Sequence, residues 1–128
     1  MIKRAATLLT LYGIATLLLI ACNSAPVQSG TASNQVHMND INFVQSSITI
    51  KKGEHITLVA DTLTPHTIAN GTWENGTSRA TKEPGAPTVD NLSVAGNSSA
   101  TIGPFNSAGT FQLYCTIHVR MNLTVIVQ

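Results

Sequence analysis

Three side chains that can bind a metal ion lie close together near the C-terminus of this 128-residue chain. Cys115, His118 and Met121 follow one another at intervals of three residues. A thiolate, an imidazole and a thioether are soft or borderline donors that together suit a transition metal. The spacing therefore predicts a short metal-binding loop. The alternative is a chance grouping of a buried Cys, a surface His and a core Met.

The segments on either side of this loop have the pattern of β-strands. Before the loop, apolar side chains alternate at Phe111, Leu113 and Cys115. After it, the alternation resumes at Leu123 and Val125. A period of two is typical of a strand with one buried face, so two strands are expected to hold the donors in place.

A thiolate, two imidazoles and a weak thioether form the blue-copper ligand set, in which two His and one Cys make a trigonal plane. The C-terminal loop supplies three of these four, so a second His must come from elsewhere. His66 is the best candidate because it follows Pro65 in a turn between predicted strands. His37, at the edge of a predicted tether, is expected to be hydrogen-bonded or exposed, and His55, beside a polar turn, is expected to face solvent.

Other chemistries fit these residues less well. A structural zinc site usually draws on paired Cys or His ligands, and the chain has no second pair. A two-copper centre needs two Cys in the loop, but this loop contains only Cys115. Nucleophilic Cys–His chemistry is possible in principle, but no oxyanion hole or orienting third group is indicated.

The N-terminus has the pattern of an export signal. Lys3 and Arg4 precede an uncharged apolar run that ends at Ala21. This run is short for a membrane-spanning helix of about 20 residues, so residues 1–21 are predicted to be a signal peptide. Residues 19–22, Leu-Ile-Ala-Cys, resemble the lipobox of bacterial lipoproteins, which implies that Cys22 is lipidated. An ordinary signal peptide and an uncleaved membrane anchor are the alternatives.

The residues after the signal set further limits. Residues 22–35 are predicted to be the lipidated Cys and a flexible tether, because residues 23–35 are rich in Ser, Ala, Asn and Gly. From residue 22 onward the chain has five Lys or Arg against six Asp or Glu and no basic run, which argues against a nucleic-acid partner. If Cys22 carries lipid, Cys115 is the one free thiol, and a bound metal explains its presence in an exported protein.

Residues 36–128 have the pattern of one all-β domain. Short alternating segments are separated by turn signals such as Asn70-Gly71 and Asn75-Gly76. Residues 71–87 are expected to be mostly loop, with Trp73 their one large apolar residue. Seven or eight short strands in this length predict a Greek-key β-sandwich.

Three passages carry a resemblance to a known family. Residues 48–58, residues 65–68 (Pro-His-Thr-Ile) and residues 109–121 (Gly-Thr-Phe-Gln-Leu-Tyr-Cys-Thr-Ile-His-Val-Arg-Met) resemble the plastocyanin and amicyanin branch of the cupredoxins. The resemblance covers nearly all of residues 36–128, and the short Cys-to-Met loop looks more like that of amicyanin. It implies a cupredoxin fold with one type 1 copper ion. The implied ligands are His66, Cys115, His118 and Met121.

The resemblance also implies a function. A domain of this kind shuttles single electrons between redox protein partners and is not an enzyme. With the lipid, the chain is expected to be a monomer anchored to the bacterial membrane on its extracytoplasmic or periplasmic side. The alternative is a non-redox module that stores or delivers copper in the envelope.

The family's electron port is the edge of the C-terminal His, here His118. Pro65, Ile117 and Val119 are expected to form an apolar ring around it, and Arg120 to orient a partner.

Thr67 and Asp61 are candidates for bracing the ligand loops as hydrogen-bond donors or acceptors. Ile117 stands where related proteins often have Pro, so its backbone N–H can point at the sulfur of Cys115. Since such a bond favours the reduced site, Ile117→Pro is predicted to lower the reduction potential.

Overall fold

The computed structural model describes residues 34–128, which form an all-β domain. The predicted signal peptide, Cys22 and most of the predicted tether lie outside the described residues. Among residues 34–128, no helix has the length and apolar character needed to cross a membrane. The strands of this part of the chain are β1 (Gln35–Met38), β2 (Ser47–Ile50), β3 (Ile56–Ala60), β4 (His66–Asn70), β5 (Thr72–Glu74), β6 (Thr77–Arg79), β7 (Leu92–Val94), β8 (Ser99–Ile102), β9 (Gly109–Cys115) and β10 (Asn122–Val127).

Eight of these strands form two sheets that enclose one core. The smaller sheet has the order β1-β3-β8, and the larger has the order β2-β10-β9-β4-β7. β1 runs parallel to β3 and β2 runs parallel to β10, whereas the other neighbours are antiparallel. The predicted all-β sandwich is confirmed, with eight strands in its two sheets.

The core follows from the alternation of apolar side chains. In β3 every second residue is buried from Ile56 to Ala60, and in β10 the same holds from Leu123 to Val127. Buried apolar surface stabilises a fold by about 25 cal/mol per Å². The largest fully buried side chains include Met38, Leu58, Ile68, Leu113 and Leu123 from the two sheets, and Phe105 from the connection between β8 and β9.

Two local predictions differ from the structure. The apolar alternation of Ile41 and Phe43 predicts a strand, but neither residue belongs to one: Phe43 forms only an isolated bridge with Met38, and Ile41 is exposed. The reason is Asn39, whose Oδ1 accepts hydrogen bonds from the N–H of Ile41 and Asn42 and closes a turn. At the start of the domain, Gln35 lies in β1 and not in the tether.

The third difference is the hairpin of β5 and β6, which occupies residues that were predicted to be mostly loop. Its strands pair from Thr72 with Arg79 to Glu74 with Thr77. Most of its side chains are exposed, so the chain there has no period-two apolar signal.

The strand register places the ends of four strands at one end of the sandwich. β3 ends at Ala60 and β4 begins at His66, while β9 ends at Cys115 and β10 begins at Asn122. Cys115 pairs with Ile68, and Asn122 pairs with Tyr114. The loops that connect these strands therefore meet at this end. Residue 34 enters at the opposite end, because Gln35 pairs with Thr57 near the start of β3.

Candidate metal centre

Three predicted ligands converge at the shared end of these strands. The Sγ atom of Cys115 lies 3.4 Å from Nδ1 of His118 and 3.9 Å from Nδ1 of His66. All three donor atoms lie within 4.8 Å of one another. Two N or S donors bound at about 2.0–2.3 Å to one ion in a trigonal plane would be about 3.7 Å apart. The donor set and its spacing therefore fit a single transition-metal ion.

The centre is buried on all but one side. Cys115 and His66 are fully buried and Met121 is 1% exposed, whereas His118 is only half-buried. The backbone closes the loop, because Cys115 N–H donates to the carbonyl of Met121 and Met121 N–H donates to the carbonyl of His118. Met121 thus follows the two loop ligands on a tightly closed turn, with its side chain directed away from solvent.

His66 has the electrostatics of a metal ligand. Burial holds the pKa of its imidazole below the ordinary value of 6.5, and the charge of His118 acts in the same direction. The backbone of Asn39 and the carboxylate of Asp40 oppose this shift. Nε2 of His66 is buried without a well-formed hydrogen bond among the described residues. The ring is therefore kept neutral, which is the form that binds a metal.

Thr67 and Asp61, the two predicted bracing residues, both accept hydrogen bonds, one through its main chain and the other through its side chain. Thr67 uses its main chain, since its carbonyl accepts a 2.8 Å hydrogen bond from the N–H of Thr116 at the start of the loop. Asp61 accepts hydrogen bonds of 2.8 and 3.0 Å from Nδ1 of His37. His37 is thus half-buried and hydrogen-bonded, one of the two expected outcomes, and His55 is exposed as predicted.

Apolar side chains next to the predicted ligands in sequence are exposed. Ile117 is 55% exposed and Val119 is 59% exposed, and Pro65 is exposed as well. Leu63, in the loop before His66, is 83% exposed as well. That apolar side chains form a ring around His118 stays a prediction.

Arg120 and Ile117 also have predicted roles at the loop. Arg120 is exposed and has a backbone φ of 69°, a left-handed conformation. No hydrogen bond from Ile117 N–H to Cys115 Sγ is found among the described residues. The influence of Ile117 on the potential therefore stays a prediction.

Sequence reasoning missed two further residues near the centre. Asp40 accepts a 2.8 Å hydrogen bond from the hydroxyl of Thr64, two residues before His66. Trp73 donates a 2.8 Å hydrogen bond from its indole Nε1 to the carbonyl of Cys115. The residues of each pair lie far apart in sequence, so the sequence could not predict these bonds. The one available signal was that Trp73 is a large side chain in a polar segment.

The match to known families agrees with this geometry. Residues 30–128 match the family described as copper binding proteins of the plastocyanin/azurin family. The chain belongs to this family. It is therefore a cupredoxin whose cofactor is copper, and His66, Cys115, His118 and Met121 form a plausible type 1 site.

Solved structures show the same fold at low sequence identity. Amicyanin from Paracoccus versutus (Thiobacillus versutus) has 23% identity and a TM-score of 0.57, over 82% of this chain and 86% of that protein. An oxidized amicyanin mutant has 17% identity and a TM-score of 0.57, over 80% of this chain and 88% of that one. No curated protein matches the chain.

Proposed function

We propose that this cupredoxin is a blue copper protein that carries single electrons between redox protein partners in the cell envelope. The observation that carries the proposal is the convergence of His66, Cys115 and His118 in a buried pocket. A bound copper ion supplies a one-electron couple there. The chain would supply two imidazoles and a thiolate as ligands, and the thioether of Met121 would be a weaker fourth.

The way the ligands are held supports electron transfer. Cys115 and Met121 are attached to two paired strands, and the intervening loop is closed by its own backbone hydrogen bonds. Donors held in this way keep nearly the same positions in both oxidation states, so little rearrangement accompanies each electron. Four protein ligands also leave no open position of the kind that catalytic metals use, which supports a carrier and not an enzyme.

The half-buried His118 is the proposed site of electron entry and exit. His66 is fully buried, whereas the ring of His118 reaches the surface between Ile117 and Val119. An apolar rim around a ligand edge lets a partner approach closely without displacing charged groups. A contact of this kind can be small, and small interfaces suit the brief encounters of redox proteins.

We further propose that the domain is a monomer anchored through lipid on Cys22 to the extracytoplasmic or periplasmic face of a bacterial membrane. The lipobox-like sequence supports this. The entry of the chain at Asn34 is also compatible, because it lies at the end of the sandwich opposite the ligands. A tether at that end leaves His118 free to meet partners.

Globomycin, an inhibitor of lipoprotein signal processing, should cause accumulation of the precursor. Mass spectrometry that finds residues 1–21 retained without the inhibitor would contradict the anchor.

Absorption spectroscopy of the purified domain tests the copper site. With copper(II) we expect an intense blue band that bleaches reversibly on reduction, because thiolate-to-copper charge transfer requires Cys115. Cys115→Ser should abolish this band, whereas His55→Ala, at an exposed position far from the ligands, should retain it. A colourless complex would favour copper storage or delivery.

A further inference from the structure

The hairpin of β5 and β6 is attached to the rest of the domain through few side chains. β6 is exposed along its whole length, and only Thr72 and Trp73 of β5 are half-buried. The hairpin belongs to neither large sheet. β5 contacts β9 and β10, and Trp73 makes hydrogen bonds with Cys115 of β9 and Asn122 of β10.

We call the end of β9 (Tyr114 and Cys115) and the start of β10 (Asn122) the first and second stems of the ligand loop. The side chain of Trp73 contacts the first stem. Its Nε1–H donates a 2.8 Å hydrogen bond to the carbonyl oxygen of Cys115. Its ring packs edge-on against Tyr114, with centroids 6.0 Å apart and an interplanar angle of 85°. The residue that supplies the thiolate is thus held from outside the sheet, in addition to its strand pairing.

The main chain of Trp73 contacts the second stem. Its N–H donates a 2.7 Å hydrogen bond to Oδ1 of Asn122, and Nδ2 of Asn122 donates a 3.0 Å bond back to its carbonyl. Asn122 directly follows Met121. A single residue of the hairpin is therefore bonded to both ends of the loop that carries His118.

Gly71 makes this arrangement possible. It has a φ of 131°, and a Cβ at this position would overlap the carbonyl oxygen of Arg79 and lie 2.9 Å from Cε1 of Tyr114. A glycine is thus required for the chain to turn so tightly that the hairpin rests against Tyr114.

We propose that Trp73 and Asn122 are positioning residues of the copper site, and that the hairpin braces the loop from outside. The strand pairing of β9 with β10 ends at Tyr114 and Asn122, so the backbone beyond it is closed chiefly by the bond from Cys115 to Met121. The brace adds three hydrogen bonds across the same two stems. Ligands held by such supporting bonds are already in place before the metal binds. This inference rests on the proposed copper site.

Transfer of copper to a strong chelator is the main test. Trp73→Phe keeps an aromatic ring against Tyr114 but removes the N–H, and Asn122→Ala removes both amide bonds. Each variant should lose copper about threefold to tenfold faster than the wild type, the effect of losing one or two hydrogen bonds. In the double variant, the increase in the rate of copper release should be smaller than the product of the two single-variant increases, because both substitutions act on the same brace.

Glu74→Gln is the matched control. Glu74 pairs with Arg79 inside the same hairpin and touches neither stem. This variant weakens the hairpin's own ion pair, so its copper release and blue band should match those of the wild type. Trp73→Phe, in contrast, should also shift or broaden the blue band.

Amide hydrogen exchange of the metal-free domain provides a second, copper-independent measurement. Residues 116–121 should exchange faster in Trp73→Phe and Asn122→Ala than in Glu74→Gln. Equal exchange in the three variants, or unchanged copper release with lowered thermal stability alone, would overturn the brace. A wild-type domain that shows no blue band would instead refute the proposed function, while the exchange measurement would still decide whether the brace exists.

Discussion

The loop of residues 116–121 joins two strands that pair with each other, whereas the loop of residues 61–65 joins β3 in one sheet to β4 in the other. The first loop carries His118 and Met121 and directly follows Cys115. The second leads into His66 alone. The first loop joins paired strands, with Trp73 as an added support, whereas the second depends entirely on groups from separate parts of the chain.

The supports of the second loop come from two other connections. Asn97 donates a 2.7 Å hydrogen bond to the carbonyl of Thr62, and Gly96 lies against the backbone of Leu63. Asp40, from the connection after β1, accepts the hydroxyl of Thr64. The position of His66 should therefore respond to substitutions at Gly96 and Asp40, for which no hydrogen bond to the first loop is found within residues 34–128.

The largest expected effect is that of Gly96→Ala. A Cβ at Gly96 would overlap backbone atoms of Leu63, which cannot swing aside as a side chain does. The loop before His66 must move, at a cost of about 1–3 kcal/mol in unfolding free energy. Denaturant unfolding should show this loss, and the blue band should shift because His66 moves with the loop.

Gly53→Ala is the control for that variant. A Cβ at Gly53 meets no atom within 4 Å, although its φ of 86° disfavours Ala. It should lower stability without changing the blue band. A normal band in Gly96→Ala would show that the site does not depend on this support.

A pH-dependent effect is expected at Asp40. Hydrogen bonds from Thr62 and Thr64 hold the pKa of its carboxyl below the ordinary value of 3.8. A group with a lowered folded-state pKa stabilises the fold above its unfolded pKa and loses this effect as the pH falls through the folded one. The advantage of the wild type over Asp40→Asn should thus be constant above pH 3.8 and disappear in more acidic solution.

Thermal unfolding of the two metal-free proteins across this acidic range measures the difference. Thr64→Val removes one of the hydroxyl donors and should shift the change to higher pH. A difference between wild type and Asp40→Asn that persists unchanged to the lowest pH would contradict a stabilising carboxylate.

The smallest expected effect lies in the first loop. Arg120 has a φ of 69°, and a left-handed conformation costs a non-glycine residue about 1–2 kcal/mol. Arg120→Gly relieves this strain but adds flexibility to the unfolded chain, so a net gain of about 0.5–1 kcal/mol is expected. Arg120→Ala removes the same side chain and keeps the strain. Equal unfolding free energies for the two variants would show that the loop stores no strain there.

Much of the fold and the site could be predicted because the signals are local. The alternation around Phe111 and Leu123 defines two strands, and the spacing from Cys115 to Met121 places the ligands on the loop between them. The hairpin of β5 and β6 escaped prediction because its strands are exposed and lack an apolar period. Ile41 misled for the opposite reason, since an apolar alternation was overruled by the turn that Asn39 closes.

By itself, the sequence determined the donor types, the strands beside the C-terminal loop and the family, since each depends on residue type and short spacing. Only the tertiary structure decided that Nδ1 of His66 lies 3.9 Å from Cys115 Sγ, because that distance depends on the pairing of β4 with β9. It likewise decided that Trp73 bonds to both stems of the loop. Hydrogen bonds between residues more than forty positions apart leave no period in a sequence, so they become visible only after folding.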